Sequence, residues 1–301
     1  MIRYLKHEEI DKNAWDACIL RSPAPLIYPM SWYLDVVSPG WSALVEDNYS
    51  RVMPLTHRKK TGINYLFQPP FSQQLGIFGL QCNSDNTQEF LKAIPKQFRF
   101  AEIMLNENNP IEMAGTQKLT NITLNIERNI EEIRSGYNDN TRRNIKKANQ
   151  NNLTCYQGFD IEKIVSLFKN NKGNEVKQSD VWYANLLTLA YQLRHKSFGT
   201  TWSAIDAHNE IVAGIFTVEF ANRVILLFSG SGPEARDSGA MHFLVDNILT
   251  DASMRNKLFD FEGSNNENLA RFYMGFGGEK KEYAFVRMNR LPFWMKWIKK
   301  R

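Results

Sequence analysis

The run Ser229-Gly230-Ser231-Gly232-Pro233-Glu234-Ala235-Arg236-Asp237-Ser238-Gly239-Ala240 joins a strand-like segment to a helix-like one. Backbone N–H groups at a helix start lack partners within the helix, so they attract phosphate or a developing oxyanion. Ser229, Arg236, Ser238, Gly239 and Ala240 are therefore candidate contacts for an anionic ligand, set against the plainer reading of a flexible loop that holds nothing. Glu262 falls at the carboxyl end of a predicted central strand, where ligands of α/β sheets gather. It either accepts a proton there or caps the helix that follows.

Two further groups of polar residues invite chemistry. Arg142-Arg143-Asn144-Ile145-Lys146-Lys147-Ala148 offers a dense cationic face, and Arg142, Arg143 and Lys146 are candidate substrate contacts; a solvated helix face is the plain alternative. The segment Phe67-Gln68-Pro69-Pro70-Phe71-Ser72-Gln73-Gln74-Leu75-Gly76 combines stiff prolines, aromatics and amides. Gln68 and Gln73 there suit a pocket wall, or the segment is a rigid structural loop. Cys18, Cys82 and Cys155 lie far apart without close His or Cys neighbours, so neither a disulfide framework nor a zinc site is expected, and no metal is assigned. No Gly-x-x-x-x-Gly-Lys-Ser/Thr loop and no Cys-His or Ser-His-Asp spacing is present.

The elements that would position these residues follow from periodicity. Ile161, Ile164, Val165 and Phe168 recur at helical spacing after Asp160, and Trp182, Leu186, Leu189, Ala190 and Leu193 do so after Ser179. Segments 200–206, 211–220 and 223–229 are rich in β-branched and aromatic residues and read as an antiparallel meander. A turn over Ser229–Pro233, a helix carrying Met241, Leu244, Val245, Ile248, Leu249 and Ala252, a strand over 258–262, a helix over 266–274 and a strand over 281–288 complete the order ααβββαβαβ. The first half repeats it loosely: helices near 10–18 and 29–37, strands near 41–46 and 51–58, a helix near 87–94 and a strand near 100–105. Trp41-Ser42-Ala43-Leu44 and Trp202-Ser203-Ala204-Ile205 open matching strands, which supports duplication. Asn129-Ile130-Glu131-Glu132 has capping-box spacing and starts a polar helical connector that continues past Gly136, with Ile145 and Ala148 as its apolar anchors.

At 301 residues the chain has room for two packed units. Hydrophobic residues at 43% and charged residues at 23% exclude a disordered or fibrous chain. The longest apolar run, around Val224–Phe228, is far short of the roughly 20 residues a membrane span needs. Met1-Ile2-Arg3-Tyr4-Leu5-Lys6-His7-Glu8-Glu9 has no apolar signal core, so the expected location is cytoplasmic. Lys and Arg outnumber Asp and Glu by 37 to 32, a balance that favours anionic partners without naming one. The tail Leu291-Pro292-Phe293-Trp294-Met295-Lys296-Trp297-Ile298-Lys299-Lys300-Arg301 sets aromatics beside lysines, which suits either a headgroup boundary at the inner membrane surface or a docked terminal helix.

With these residues in view, a resemblance emerges. Arg236-Asp237-Ser238-Gly239-Ala240 resembles the turn with which GNAT acetyltransferases hold the pyrophosphate of coenzyme A, with Met241 in place of its last small residue. Asn266-Glu267-Asn268-Leu269-Ala270-Arg271-Phe272-Tyr273-Met274-Gly275-Phe276-Gly277 resembles the GNAT helix Asn-x-x-Ala-x-x-Phe-Tyr-x-x-x-Gly. Together with Phe259-Asp260-Phe261-Glu262-Gly263-Ser264 and the Arg142 to Ala148 connector, it is similar to Fem-type peptidyltransferases and their acetyltransferase relatives. The resemblance covers about residues 138–289, and the first half matches by architecture alone. No heptad-rich helical hairpin of the tRNA-dependent Fem enzymes is present.

The resemblance implies an α+β fold of two tandem GNAT-like halves, with mixed, mostly antiparallel sheets flanked by helices. The expected division is 1–128, a basic connector 129–152, a donor-binding half 153–290 and the tail 291–301. It implies an acyltransferase that moves an acyl group from acetyl-CoA or another acyl-CoA to an amine of a small-molecule or lipid-linked cell-envelope acceptor. Tyr273 matches the tyrosine that protonates the leaving thiolate, or it packs in the core with its hydroxyl satisfied. Glu262 would take the amine proton and the backbone near Ser229 would hold the oxyanion. The acceptor is expected between the halves, with Arg142, Arg143 and Lys146 on one rim. A charged tRNA donor is the less favoured alternative, a catalytically silent binding protein a third, and DNA is not expected as a partner.

Overall fold

The computed structural model describes residues 1–292 apart from Asn256 and Ser264, with the backbone alone at Asn174 and Glu175. The basic aromatic stretch from residue 293 lies outside the described residues. The chain divides into two compact units, Met1–Leu119 joined by the segment from Glu282, and Thr120–Lys281. The last strand, Glu279–Asn289, expected within the second half, pairs through Phe285–Asn289 with the first unit's strand Phe98–Met104. Element order along the chain does not reveal such a return.

In the first unit, β1 (Ile2–Leu5), α1 (Lys12–Leu20), α2 (Ser31–Val37), β2 (Ser42–Glu46) and β3 (Arg51–Leu55) come first. Then follow β4 (His57–Lys60), β5 (Ile63–Leu66), β6 (Phe78–Gly79), α3 (Ser84–Ala93) and β7 (Phe98–Met104). One sheet has the order β1-β2-β3-β6, all antiparallel. Strands β4 and β5 form a hairpin, and β5 runs parallel to β7. The strand expected over 51–58 breaks at Thr56, whose hydroxyl donates to the Phe67 carbonyl (2.6 Å). Leu44, Met53, Leu66, Phe90, Phe98 and Ile103 are among the residues of this unit's core.

The second unit runs β8 (Gln117–Asn125), α4 (Ile130–Ser135), α5 (Asp139–Gln150), β9 (Thr154–Gly158), α6 (Ile161–Asn170), α7 (Lys172–Val176) and α8 (Asp180–His195). It continues with β10 (Gly199–Ile205), β11 (Ile211–Phe220), β12 (Arg223–Ser231), α9 (Glu234–Ser238), α10 (Ala240–Ala252), β13 (Leu258–Asp260) and α11 (Glu267–Met274), and leads into β14, the returning strand already described. Strands β9 to β12 form an antiparallel meander, β13 lies parallel to β12, and β8 pairs antiparallel with β13. The sheets are mixed and mostly antiparallel, as expected.

Local chemistry explains the helix starts. Ser179 accepts from the Trp182 N–H (3.2 Å) and Asn266 from Asn268 and Leu269, each satisfying orphan donors of a first turn. Asp160 stands at the N-cap of α6 without a side-chain capping bond; its carboxylate instead accepts from the Ser203 hydroxyl (3.4 Å). The expected continuous connector is two helices, α4 capped by Asn129 and α5 by Asn138, because Asn138 draws the chain aside by donating its N–H to the Gly275 carbonyl (2.9 Å). The two tetrapeptides are placed differently: Trp41 immediately precedes β2, which follows α1 and α2, whereas Trp202 is the fourth residue of β10, which follows the three helices α6, α7 and α8. Among the described residues, no helix is long and apolar enough to cross a membrane.

Candidate active site

Strands β12 and β13 pair over three rungs, Arg223↔Leu258, Val224↔Phe259 and Ile225↔Asp260, and then part. Past the last rung β12 stays with β11 as far as Ala213↔Ser231, while the other chain follows β8 as the Phe261 N–H donates to the Ile122 carbonyl (3.0 Å). A wedge opens between two parallel strands, at their carboxyl ends, where α/β sheets bind ligands. Its closed end is fastened by a buried ion pair in which Arg223 donates to Asp260 Oδ2 (2.5 Å). Asp260 Oδ1 accepts the Glu262 N–H (2.9 Å).

Just past the fork, β12 carries a bulge. Leu226 faces Thr217 and Phe228 faces Phe216, which leaves Leu227 as the extra residue. A bulge bends its strand and re-aims the side chains beyond it, and bulges gather next to active sites. Leu226 packs into the core against α10, whereas Phe228 meets Phe168 of α6 (5.1 Å between centroids). Nothing in the apolar run Val224–Phe228 announces the bulge. The strand also runs past its expected end at Ser229: Gly230 and Ser231, expected in a turn, pair with Gly214 and Ala213.

The turn beyond β12 forms the one-and-a-half-turn helix α9, which ends at Gly239, and α10 starts from there. Gly239 has φ +76°, and the Asn144 carbonyl oxygen of α5 stands 2.3 Å from where its β-carbon would be. Only glycine allows that conformation and that approach together. No side chain caps α10. Ser238 turns its hydroxyl back to the Ala235 carbonyl (3.3 Å), Ala240 is buried, and Arg236 is exposed. Met241, at the position of the GNAT turn's last small residue, packs against the core. The contact at Asn144 sets the cationic helix beside this turn: Arg142, Arg143 and Lys146 are exposed, and Arg142 donates to the Ser135 carbonyl (2.8 Å).

Tyr273 and Glu262 come together at the end of β13. Tyr273 is buried and stacks on Phe261 (4.8 Å). Burial, and then the negative charges of Glu262 and Asp260, push its phenol above the ordinary tyrosine range, so the protonated form is strongly held. Among the described residues none hydrogen-bonds its hydroxyl. Glu262 is half-buried with φ +48°, a left-handed backbone unusual for a residue bearing a β-carbon. It does not cap α11, which Asn266 does.

Sequence reasoning missed His242 on the first turn of α10. Its ring lies edge-on to Phe272 (4.7 Å), its Nε2 is buried without a hydrogen-bond partner among the described residues, and burial lowers its pKa to about 4. Gln68 and Gln73 belong to the first unit. Gln68 donates to the Ser72 carbonyl (2.5 Å) and accepts from the Met104 N–H (3.2 Å), and Gln73 accepts from Gln74 (3.1 Å), so both hold their own loop in shape. Among the described residues no group of three or more His, Cys, Asp or Glu is placed to hold a metal.

The first unit has a fork of its own, at the parallel bridge Leu75↔Leu105. There the strand edge is already taken. Asn109 accepts from the Ile77 N–H (2.7 Å) and donates to the Ile77 carbonyl (3.0 Å), and Asn106 donates to the carbonyls of Leu75 (3.0 Å) and Ile77 (2.9 Å). The helix after that fork, α3, is closed by a reciprocal box between Asn83 and Asn86. Asparagine side chains thus fill both features in the first unit, whereas among the described residues of the second the Asn171 amide reaches only the Ser231 carbonyl at the far end of β12 (3.0 Å) and no side chain caps α10. A cluster such as Asn106-Glu107-Asn108-Asn109 is visible in sequence, but its target is not.

No family model matches the sequence, and no curated protein matches it. Among solved structures the chain is similar to FemX, with a TM-score of 0.67 at 11% identity over 94% of this chain and 96% of that one. It is also similar to a tandem GNAT protein from the clavulanic acid biosynthesis pathway, with a TM-score of 0.55 at 10% identity over 97% and 99%. A third similar structure is the C-terminal domain of a putative lysylphosphatidylglycerol synthetase from Agrobacterium fabrum, with a TM-score of 0.56 at 10% identity over 93% and 92%. The fold of this chain is the GNAT-like fold in tandem, of the Fem type.

Proposed function

We propose that the second unit binds an acyl-CoA and passes its acyl group to an amine. The observation that carries this reading is the contrast between the two forks: one is closed by Asn106, Asn109 and the Asn83–Asn86 box, and the other, among the described residues, has a side chain on its strand edge only at Ser231 and an uncapped helix start. From Leu227 to Gly230 the edge of β12 runs about 10 Å, room for an extended arm to lie along it. The donor's phosphates sit at the start of α10, near Ser238, Gly239 and Ala240, within reach of Arg236 and the cations of α5.

In the reaction the amine nitrogen attacks the donor carbonyl carbon. A C–N bond forms, the C–S bond breaks, and main-chain N–H groups of β12 around the bulge hold the oxyanion. The amine proton passes to the Glu262 carboxylate, and Tyr273 gives its proton to the departing thiolate. The acceptor is an amine of a cell-envelope or other small-molecule precursor; likeness in fold to a putative lysylphosphatidylglycerol synthetase supports a lipid-linked one.

A second donor is favoured by one feature, the exposed cationic face of α5, which suits a polyanion such as charged tRNA. Isothermal titration of coenzyme A, acetyl-CoA and aminoacyl-tRNA into the full chain separates the two. Coenzyme A binding at one per chain supports the leading reading. Two per chain defeats the contrast between the forks, and binding of charged tRNA alone favours the second donor.

A further inference from the structure

The side of the wedge that faces α6 and α8 is walled by aromatic rings. Past the bulge, Phe228 packs on Phe168 (5.1 Å) and Trp182 (6.2 Å), and Trp182 is stacked on Phe168 (6.0 Å, 23° between planes). This wall is fixed in place. Gly214 and Gly230, cross-strand partners in β11 and β12, let α6 settle directly on the sheet. A β-carbon on Gly230 would stand 2.1 Å from the Ile164 carbonyl oxygen and 3.0 Å from the Phe168 nitrogen. Phe168 is therefore held from below by main chain and cannot sink to make room.

The other boundaries are equally full. Arg223 and Asp260 close the fork, and Leu226 and Phe261 are buried in the core on the α10 side. A donor lying along β12 with its phosphates at α10 brings its acyl carbon to the bulge, with Phe228 beside it.

Resting on the proposed donor reading, we infer that Phe228, backed by Phe168 and Trp182, limits the transferred group to a short acyl chain. An octanoyl group exceeds an acetyl group by as many carbons as the Phe228 ring contains, so Phe228→Ala makes a space of matching size. Trp182 is only half-buried, so Trp182→Ala is the gentler variant and loosens the same wall from behind.

The test is titration of coenzyme A, acetyl-CoA and octanoyl-CoA into the wild-type chain and both variants. In the wild type, octanoyl-CoA binds at least about tenfold more weakly than acetyl-CoA, the order of discrimination a filled apolar pocket delivers. Phe228→Ala reverses that ratio by about tenfold or more and Trp182→Ala moves it the same way, while free coenzyme A binds all three alike. Equal wild-type affinity for the two acyl-CoAs overturns the inference, as does a variant that changes all three ligands together. If coenzyme A itself does not bind the wild type, the donor reading falls and the inference falls with it; if coenzyme A binds and the ratio ignores both variants, only the inference falls.

Discussion

The main-chain carbonyl oxygen of Asn144 lies 2.3 Å from the point where a β-carbon on Gly239 would stand. Helices α5 and α10 meet there, at the start of the helix that faces the wedge, and glycine is the residue that lets them. Gly239→Ala places a methyl group on a left-handed backbone, which costs roughly 1–2 kcal/mol, and also pushes α5 away from the turn. Gly40→Ala is the control, since Gly40 has φ +74° but open space around it. Urea unfolding should show a larger loss for Gly239→Ala than for Gly40→Ala, together with weaker coenzyme A binding. Equal losses would mean that the Asn144 contact yields freely.

The cations around that turn should divide by ligand. Arg236→Ala is expected to weaken coenzyme A about tenfold, the usual effect of losing one charge-assisted contact. Arg143→Glu, next to Asn144, should weaken it by a similar factor at low salt and by much less at high salt, because the side chain is exposed and screened. The acceptor KM should stay unchanged in both. A raised KM with intact coenzyme A binding would return Arg143 to the acceptor.

His242 ties stability to pH. Burial holds its pKa near about 4, below the ordinary value of 6.5, so the unfolded chain takes up a proton between those limits while the folded chain does not. Its contribution is present above pH 6.5 and is lost as pH falls from 6.5 to 4, by at most about 3 kcal/mol. His242→Phe should flatten that stretch of the stability curve measured by urea denaturation. An unchanged acid limb would show that other groups set it.

Much of the second unit was legible because its signals are local. Ser179, Asn129 and Asn266 cap where their side chains reach two or three residues along the chain, and the apolar face of α10 repeats at helical spacing. Tyr273 and Glu262 were legible as candidates through residue types on one strand end and one helix. What stayed hidden depends on pairing between distant segments. The Leu227 bulge exists only relative to β11, the Arg223–Asp260 ion pair joins residues 37 apart, and the Asn109 amide finds Ile77 across 32 residues. Asp160 looked like a cap and was diverted by Ser203, 43 residues away. The return of the last strand to the first unit was hidden for the same reason, since β14 finds its partner β7 far back along the chain, as at Arg287 and Glu102, 185 residues apart.

Tyr273 and Glu262 offer the sharpest test of the chemistry. The phenol is buried, is held protonated by burial and by Glu262 and Asp260, and has no hydrogen-bond partner among the described residues. Tyr273→Phe therefore removes a hydroxyl that contributes little to folding, and urea stability should hold within about 0.5 kcal/mol. If the hydroxyl protonates the leaving thiolate, kcat should fall by roughly 100-fold or more with the coenzyme A affinity unchanged. Because the phenol's pKa lies above its ordinary value of 10, the wild-type rate should show no decline from tyrosine ionisation up to pH 10, and stability should fall only above it. Glu262→Gln keeps the shape of the side chain and removes the base, with a comparable fall in kcat. The two residues serve one step, so the double variant should be scarcely slower than either single one. Multiplying losses would mean that they act in separate steps, and a Tyr273→Phe enzyme with full kcat but lower stability would make Tyr273 a core residue and leave the thiolate to find its proton in water.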